Sequence, residues 1–229
     1  QGAPVARSWP KEVPLRLLRQ AEMKDARVKE PRLTVRYTAP SAVEGATDQA
    51  MKLAVAAQYL GGGDSSVLYD ALVRQQRLAI SVSASYDPIS RGPAVFHVTA
   101  IPAPGVSVAQ LHEALQRELQ RALDTPFDEA GIVRAKTLLT SEVVFAQDGV
   151  ESIAMLMAEL YAVGLDENYF YQWQPSIAAV TATSAREAAR AVLVPARGVT
   201  GYLLPEAAAP VAPQAPAVLA PAATEVPHG

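Results

Sequence analysis

Tyr59-Leu-Gly-Gly-Gly-Asp-Ser-Ser-Val-Leu-Tyr69-Asp-Ala-Leu-Val-Arg74-Gln-Gln-Arg-Leu-Ala-Ile-Ser-Val-Ser-Ala-Ser85-Tyr86 is the stretch of this 229-residue chain that decides its fold. Just upstream, Asp48–Leu60 places Leu53, Ala56, Ala57 and Leu60 at helical spacing. The glycines at 61–63 predict a left-handed end to that helix, with Asp64 or Ser65 capping the next. Ser66–Gln76 reads as that second helix, with Leu68 and Leu72 on its apolar face. From Leu78 to Asp87 the period changes to two: Ile80, Val82 and Ala84 alternate with Ser81, Ser83 and Ser85, which is a half-buried strand.

Outward from this core the pattern continues. Pro93–Ile101 is a second strand, with Phe96, Val98 and Ala100 opposing Val95, His97 and Thr99. Pro88, Ser90 and Gly92 join the two as an antiparallel hairpin. Val13–Arg19 and Leu33–Ala39 are further short strand-like segments, and Leu33, Val35 and Tyr37 form the apolar row of the second. Ser107-Val-Ala-Gln110 is a capping box opening a helix with Leu111, Leu115 and Leu119 inward. Thr125-Pro126-Phe127-Asp128 and Asp148-Gly-Val-Glu151 give two more helix starts. A shorter helix near Glu187–Leu193 leads to a last strand, Gly198–Leu204. The expectation is an α+β domain: a mostly antiparallel sheet with helices on one face.

Composition bounds the function. Half of the residues are apolar, enough for one sizeable core, and Lys plus Arg against Asp plus Glu leaves a net charge of −3. There is no cysteine, hence no disulfide framework, thiolate metal site or cysteine nucleophile. Mild acidity without a basic run argues against nucleic acid, and no apolar stretch has the length of a membrane span. Six prolines fall between Pro205 and Gly229 among repeated Ala-Pro steps, so 206–229 is expected to be an Ala/Pro-rich flexible tail. Residues 1–9 are read as a leader segment and 10–205 as one folded domain. Without a start methionine or signal peptide, the chain reads as a piece of something longer or a processed product.

Few residues offer chemistry. His97, His112 and His228 are the only histidines. His112-Glu113 lacks the second histidine one turn away that a helical zinc site needs, and His112 is expected at an ordinary polar helix position. His97 could pair with Ser81, Ser83 or Ser85, but no nucleophile elbow accompanies it, and a hydrogen-bonded structural histidine is the simpler reading. The Gly61–Ser66 turn follows a helix and carries Asp64 where a phosphate loop needs lysine, so it reads as a joint. Arg74 and Arg77 suit a helix C-terminus electrostatically. Tyr169-Phe170-Tyr171 with Trp173 has no lysine or arginine around it, and reads as core or interface packing.

The quoted stretch resembles the pattern LGGG-x-SS-x-L-Y-x-x-L-V-R…L-A-x-S-V-S-A in the C-terminal halves of M16 (pitrilysin/insulinase-like) zinc peptidases. Val28–Pro40, Thr125–Val150 and Thr181–Leu204 follow in the matching order. The resemblance implies a sheet of mostly antiparallel strands covered by helices, duplicated in a parent protein. It implies that an N-terminal half, as part of the same protein or a partner subunit, holds zinc with H-x-x-E-H and performs catalysis. This chain would hold no cofactor itself and would wall a peptide chamber. Separately, the Ala/Pro tail and the absence of cysteine suit a periplasmic or secreted bacterial protein, with a cytoplasmic one as the alternative. Some members supply an arginine and a tyrosine to the substrate; Arg74 matches the arginine, whereas Ile80 stands at the tyrosine position. Members of the family also serve as structural subunits, which is the alternative role.

Overall fold

A computed structural model describes residues 19–44, 47–146 and 149–206. Five strands, β1 (Arg19–Asp25), β2 (Arg32–Ala39), β3 (Ala79–Tyr86), β4 (Ala94–Pro102) and β5 (Val199–Pro205), form one sheet in the order β1-β5-β2-β4-β3. The β2–β4, β2–β5 and β3–β4 ladders are antiparallel, as expected. The β1–β5 ladder is parallel, so the sheet is mostly antiparallel, as the sequence implied.

Alternation along β2 and β4 fixes which face is buried. Leu33, Val35, Tyr37, Phe96, Val98 and Ala100 are fully enclosed, while Arg36, Thr38 and Val95 are exposed on the other side. The helices cover only the first face. Helix α1 (Thr47–Gly61) packs against β3, and Met51, Leu53, Val55, Ala56 and Leu60 are all buried, because α7 (Ala182–Val192) and α4 (Glu129–Ala146) close its remaining sides. Burying each leucine of this kind stabilises the fold by about 1.5–3 kcal/mol. Helix α3 (Val108–Asp124) opens with the expected capping box between Ser107 and Gln110.

Several boundaries differ from the sequence reading, each for a local reason. Residues 13–18 of the first expected strand lie outside the described residues; the strand that is described, Arg19–Asp25, is exposed along almost its whole length and so carries no alternation. The tail from 207 and the leader also lie outside them. Thr125 ends α3 instead of starting α4: its N–H and hydroxyl both donate to the Arg121 carbonyl, and Asp128 accepts from the Gly131 N–H at 2.7 Å to cap α4. The last helix begins earlier than expected, at Ala182, because Thr181 and Ser184 form a second capping box. The aromatic run 169–173 lies in an unanticipated helix, α6 (Glu167–Ala179), which follows α5 (Val150–Val163) through a left-handed Gly164.

The quoted stretch holds two further differences. Ser66, with no side-chain cap bond, stands at the N-cap of the short α2 (Val67–Tyr69), which continues as a π-helix over Asp70–Gln75. The glycines play three roles. Gly63 alone is left-handed (φ +98°); Gly61 brings α1 against β3, where a Cβ would lie 2.2 Å from the Ala84 nitrogen; a Cβ on Gly62 would meet the Gln58 side chain.

Candidate functional site

Arg74 sits at the penultimate position of the π-helix with its side chain exposed. Its guanidinium lies over the Tyr69 ring, 5.5 Å from the centroid, a contact worth about 0.5–1 kcal/mol at an exposed position. It borders a cleft of about 440 Å³ that Gln58, Tyr59, Ser66, Arg121 and Arg134 also line. Arg121 is paired with Glu118 at 2.6 Å, and Arg134 reaches Asp128 at 3.8 Å. Arg74 makes no ion pair among the described residues, which leaves its charge available to a carboxylate entering the cleft. Tyr59 stacks on Phe127 at 4.4 Å and its hydroxyl accepts from the Asp128 N–H, so its own proton, which has no acceptor among the described residues, can donate into the same space.

Ile80 does not join Arg74. A register shift between Ala79 and Ser81 makes a bulge in β3, which turns Ile80 outward, 46 % exposed, instead of inward with Val82 and Ala84. It lines a separate hollow with Pro31, Pro102 and Gly105. Ile80 therefore neither carries a hydroxyl nor lines the cleft beside Arg74.

The open face of the sheet carries Thr34, Arg36, Ser81, Ser83, Ser85, His97 and Thr99. Of the three serines, Ser85 is the one that reaches His97, with Oγ 2.7 Å from Nε2. Partial burial, then the neighbouring Arg36 charge, hold the His97 pKa below its ordinary value, so its ring is neutral near pH 7. No carboxylate bonds its other nitrogen among the described residues, and β4 lies between two strands, which engages its N–H groups in ladders. The free N–H groups on the outer edge of β3 lie in the plane of the sheet, so the arrangement orders side chains on a polar surface and aims no oxyanion donor above Ser85.

His112 is not the ordinary polar position expected from the sequence. It is half-buried on α3, on the helix side of the sheet, with Nδ1 2.7 Å from the Tyr202 hydroxyl and Nε2 3.3 Å from the Gln116 amide. The bond joins α3 to β5; a sequence read element by element gives no sign of it, because the partner lies 90 residues away. Since His97 and His112 lie on opposite sides of the sheet, they cannot share an ion. No three His, Cys, Asp or Glu side chains converge among the described residues. The donor set does not fit zinc.

A profile of the family described as "Peptidase M16 inactive domain" matches residues 3–139. Among solved structures, a protease from Helicobacter pylori superposes with a TM-score of 0.77 at 19% identity, over 90% of this chain and 48% of that one. A peptidase M16 inactive domain from Pseudomonas fluorescens gives 0.73 at 14%, again over 90% and 48%. The inactive peptidase domain of a proposed zinc protease from Bordetella parapertussis gives 0.73 at 23%, over 83% of this chain and 98% of that one. The chain thus spans about half the length of the first two and nearly all of the third. No curated protein matches it. None of the described helices is long and apolar enough to cross a membrane.

Proposed function

The chain belongs to the peptidase M16 inactive-domain family, and from that premise we propose that it is the non-catalytic C-terminal half of a bacterial zinc metalloprotease. A partner half supplies zinc, water activation and the general base. Residues 10–205 form the domain that walls the peptide chamber. The observation that carries this reading is the match to an inactive domain in a chain whose two described histidines face opposite ways. Three features suit a peptide: the polar open face of the sheet, the outer strand β3 with one row of peptide groups that no described strand pairs, and the charge of Arg74, which has no ion pair among the described residues. The Ala/Pro tail and the lack of cysteine suit a periplasmic or secreted setting.

The test mixes this chain with the catalytic half expressed separately and follows cleavage of a quenched fluorescent peptide. Cleavage that rises with added chain supports the reading. Tight association without a rise in cleavage would instead assign a structural role. Calorimetric zinc titration of this chain alone should show no stoichiometric submicromolar site, and finding one would overturn the proposal.

A further inference from the structure

Helix α5 reads Val-Glu-Ser-Ile-Ala-Met-Leu-Met-Ala-Glu-Leu-Tyr-Ala-Val, yet Leu160 is the one fully buried residue among its described side chains. Ile153, Leu156 and Met157 turn partly toward the domain. The opposite half is apolar as well: Ala154, Ala158 and Ala162 recur every four residues, all exposed, with Met155 (69 % exposed) and Tyr161 (57 %) beside them. A surface helix of a soluble protein ordinarily places charges there. A row of alanines at this spacing instead makes a shallow groove into which a second helix packs closely.

The sequence through this helix carries charge of one sign. No lysine, arginine or histidine occurs from Thr137 to Ala185, whereas Glu142, Asp148, Glu151, Glu159, Asp166 and Glu167 all fall within that span. Glu151 and Glu159 are exposed on α5 at the edge of the alanine row. Glu167 accepts a hydrogen bond from the Tyr161 hydroxyl, which lowers its pKa and keeps it ionised. The nearest cation before the span, Lys136, is committed to the Ala178 carbonyl at 2.9 Å. A second copy of this chain would set these carboxylates against one another, and an anionic lipid surface or a nucleic acid would meet the same repulsion.

We propose that the α5 face formed by Ala154, Met155, Ala158 and Ala162, edged by Glu151 and Glu159, docks a cationic amphipathic helix of another polypeptide. Small side chains set the close approach, and lysines or arginines on the incoming helix meet the two glutamates.

The probe is a fluorescein-labelled amphipathic helical peptide of Lys, Ala and Leu, titrated with the full chain by anisotropy. Saturable one-to-one binding is expected. Ala158→Glu should weaken it at least tenfold, as should the double variant Glu151→Lys/Glu159→Lys. The double variant Glu30→Lys/Asp64→Lys, with the same change in net charge elsewhere, should bind as the parent does. Circular dichroism checks each fold, and Met155→Glu reads the same face if Ala158→Glu does not fold. Three results would overturn the proposal: no binding to the parent, equal loss in both double variants, or binding of the parent to anionic vesicles that Ala158→Glu abolishes. Self-association of the parent that Ala158→Glu removes in sedimentation would also overturn it, by assigning the face to a second copy.

Discussion

Ser85 and His97 face one another across β3 and β4 with Oγ and Nε2 2.7 Å apart, on the side of the sheet that no helix covers. A serine and a neutral imidazole at that distance are two parts of a hydrolytic triad, but the remaining parts are missing among the described residues. An acyl intermediate would need donors aimed off the sheet, and ladder N–H groups lie in its plane. Neither His97→Ala nor Ser85→Ala should change the hydrolysis of p-nitrophenyl acetate by the chain beyond the general imidazole background. Each should lower unfolding stability by less than about 1 kcal/mol, the scale of one exposed hydrogen bond. A tenfold loss of esterase rate in both variants would show a working dyad.

Arg74 is exposed and rests on the Tyr69 ring, so its removal should be nearly silent for folding, within about 0.5 kcal/mol. Its effect should appear when the chain works with the catalytic half. Arg74→Ala is expected to lower kcat/KM for peptide cleavage about tenfold, equivalent to about 1.4 kcal/mol, with Arg74→Lys recovering part of the loss. Unchanged kcat/KM in Arg74→Ala would remove this residue from substrate contact.

Gly61 and Gly63 should answer differently to the same substitution. A Cβ at Gly61 would lie 2.2 Å from the Ala84 nitrogen and 2.6 Å from its Cβ, so α1 must move off β3 to admit it. Gly61→Ala should cost about 3 kcal/mol or more in urea unfolding. Gly63 has open space but a φ of +98°, and Gly63→Ala should cost about 1–2 kcal/mol. Equal losses at the two positions would contradict the assigned roles.

The contrast between those glycines shows what local sequence conveys. Alternation in Leu33–Ala39 and Pro93–Ile101 identified the buried rows of β2 and β4, because a period of two is written along one strand. Gly61 was legible only as a helix end, since its real constraint is a strand more than 20 residues later. The outward turn of Ile80 depends on a register shift against β4, and the His112–Tyr202 bond on how α3 crosses β5. Strand β1 went unseen because solvent reaches almost all of it and no hydrophobic pattern is required there. Of the candidate site, Arg74 was carried by resemblance and the Ser85 partner of His97 was left open among three serines. The cleft beside Arg74 exists only once α1, α3 and α4 converge.

Arg77 is the one non-glycine among the described residues with positive φ, at 55°. It turns the chain from the π-helix into β3, with the Leu78 N–H bonding back to the Leu72 carbonyl. Glycine is the residue that meets such a turn without strain. Arg77→Gly should therefore raise stability by up to about 1 kcal/mol, read as a higher urea midpoint with an unchanged slope. A lower midpoint would mean that the arginine side chain contributes more than its backbone costs.

Both described histidines have pKa values below the ordinary 6.5: burial is the main cause at each, assisted by Arg36 at His97 and opposed by Glu113 at His112. The folded chain therefore refuses protons that the unfolded chain accepts once the pH falls below about 6.5. The stability they contribute is complete above that pH and declines as pH falls toward the lower folded values. Carboxylates add their own loss further down, where the ion-paired Asp25 and the hydrogen-bonded Glu167 titrate below the usual range. The interval from about pH 6.5 to 5 thus belongs mainly to the imidazoles. Thermal unfolding should give a level Tm from pH 8 to 7 and a falling one from 6.5 to 5, and the double variant His97→Gln/His112→Gln should flatten that fall. A slope that persists in the double variant would place the responsible proton elsewhere.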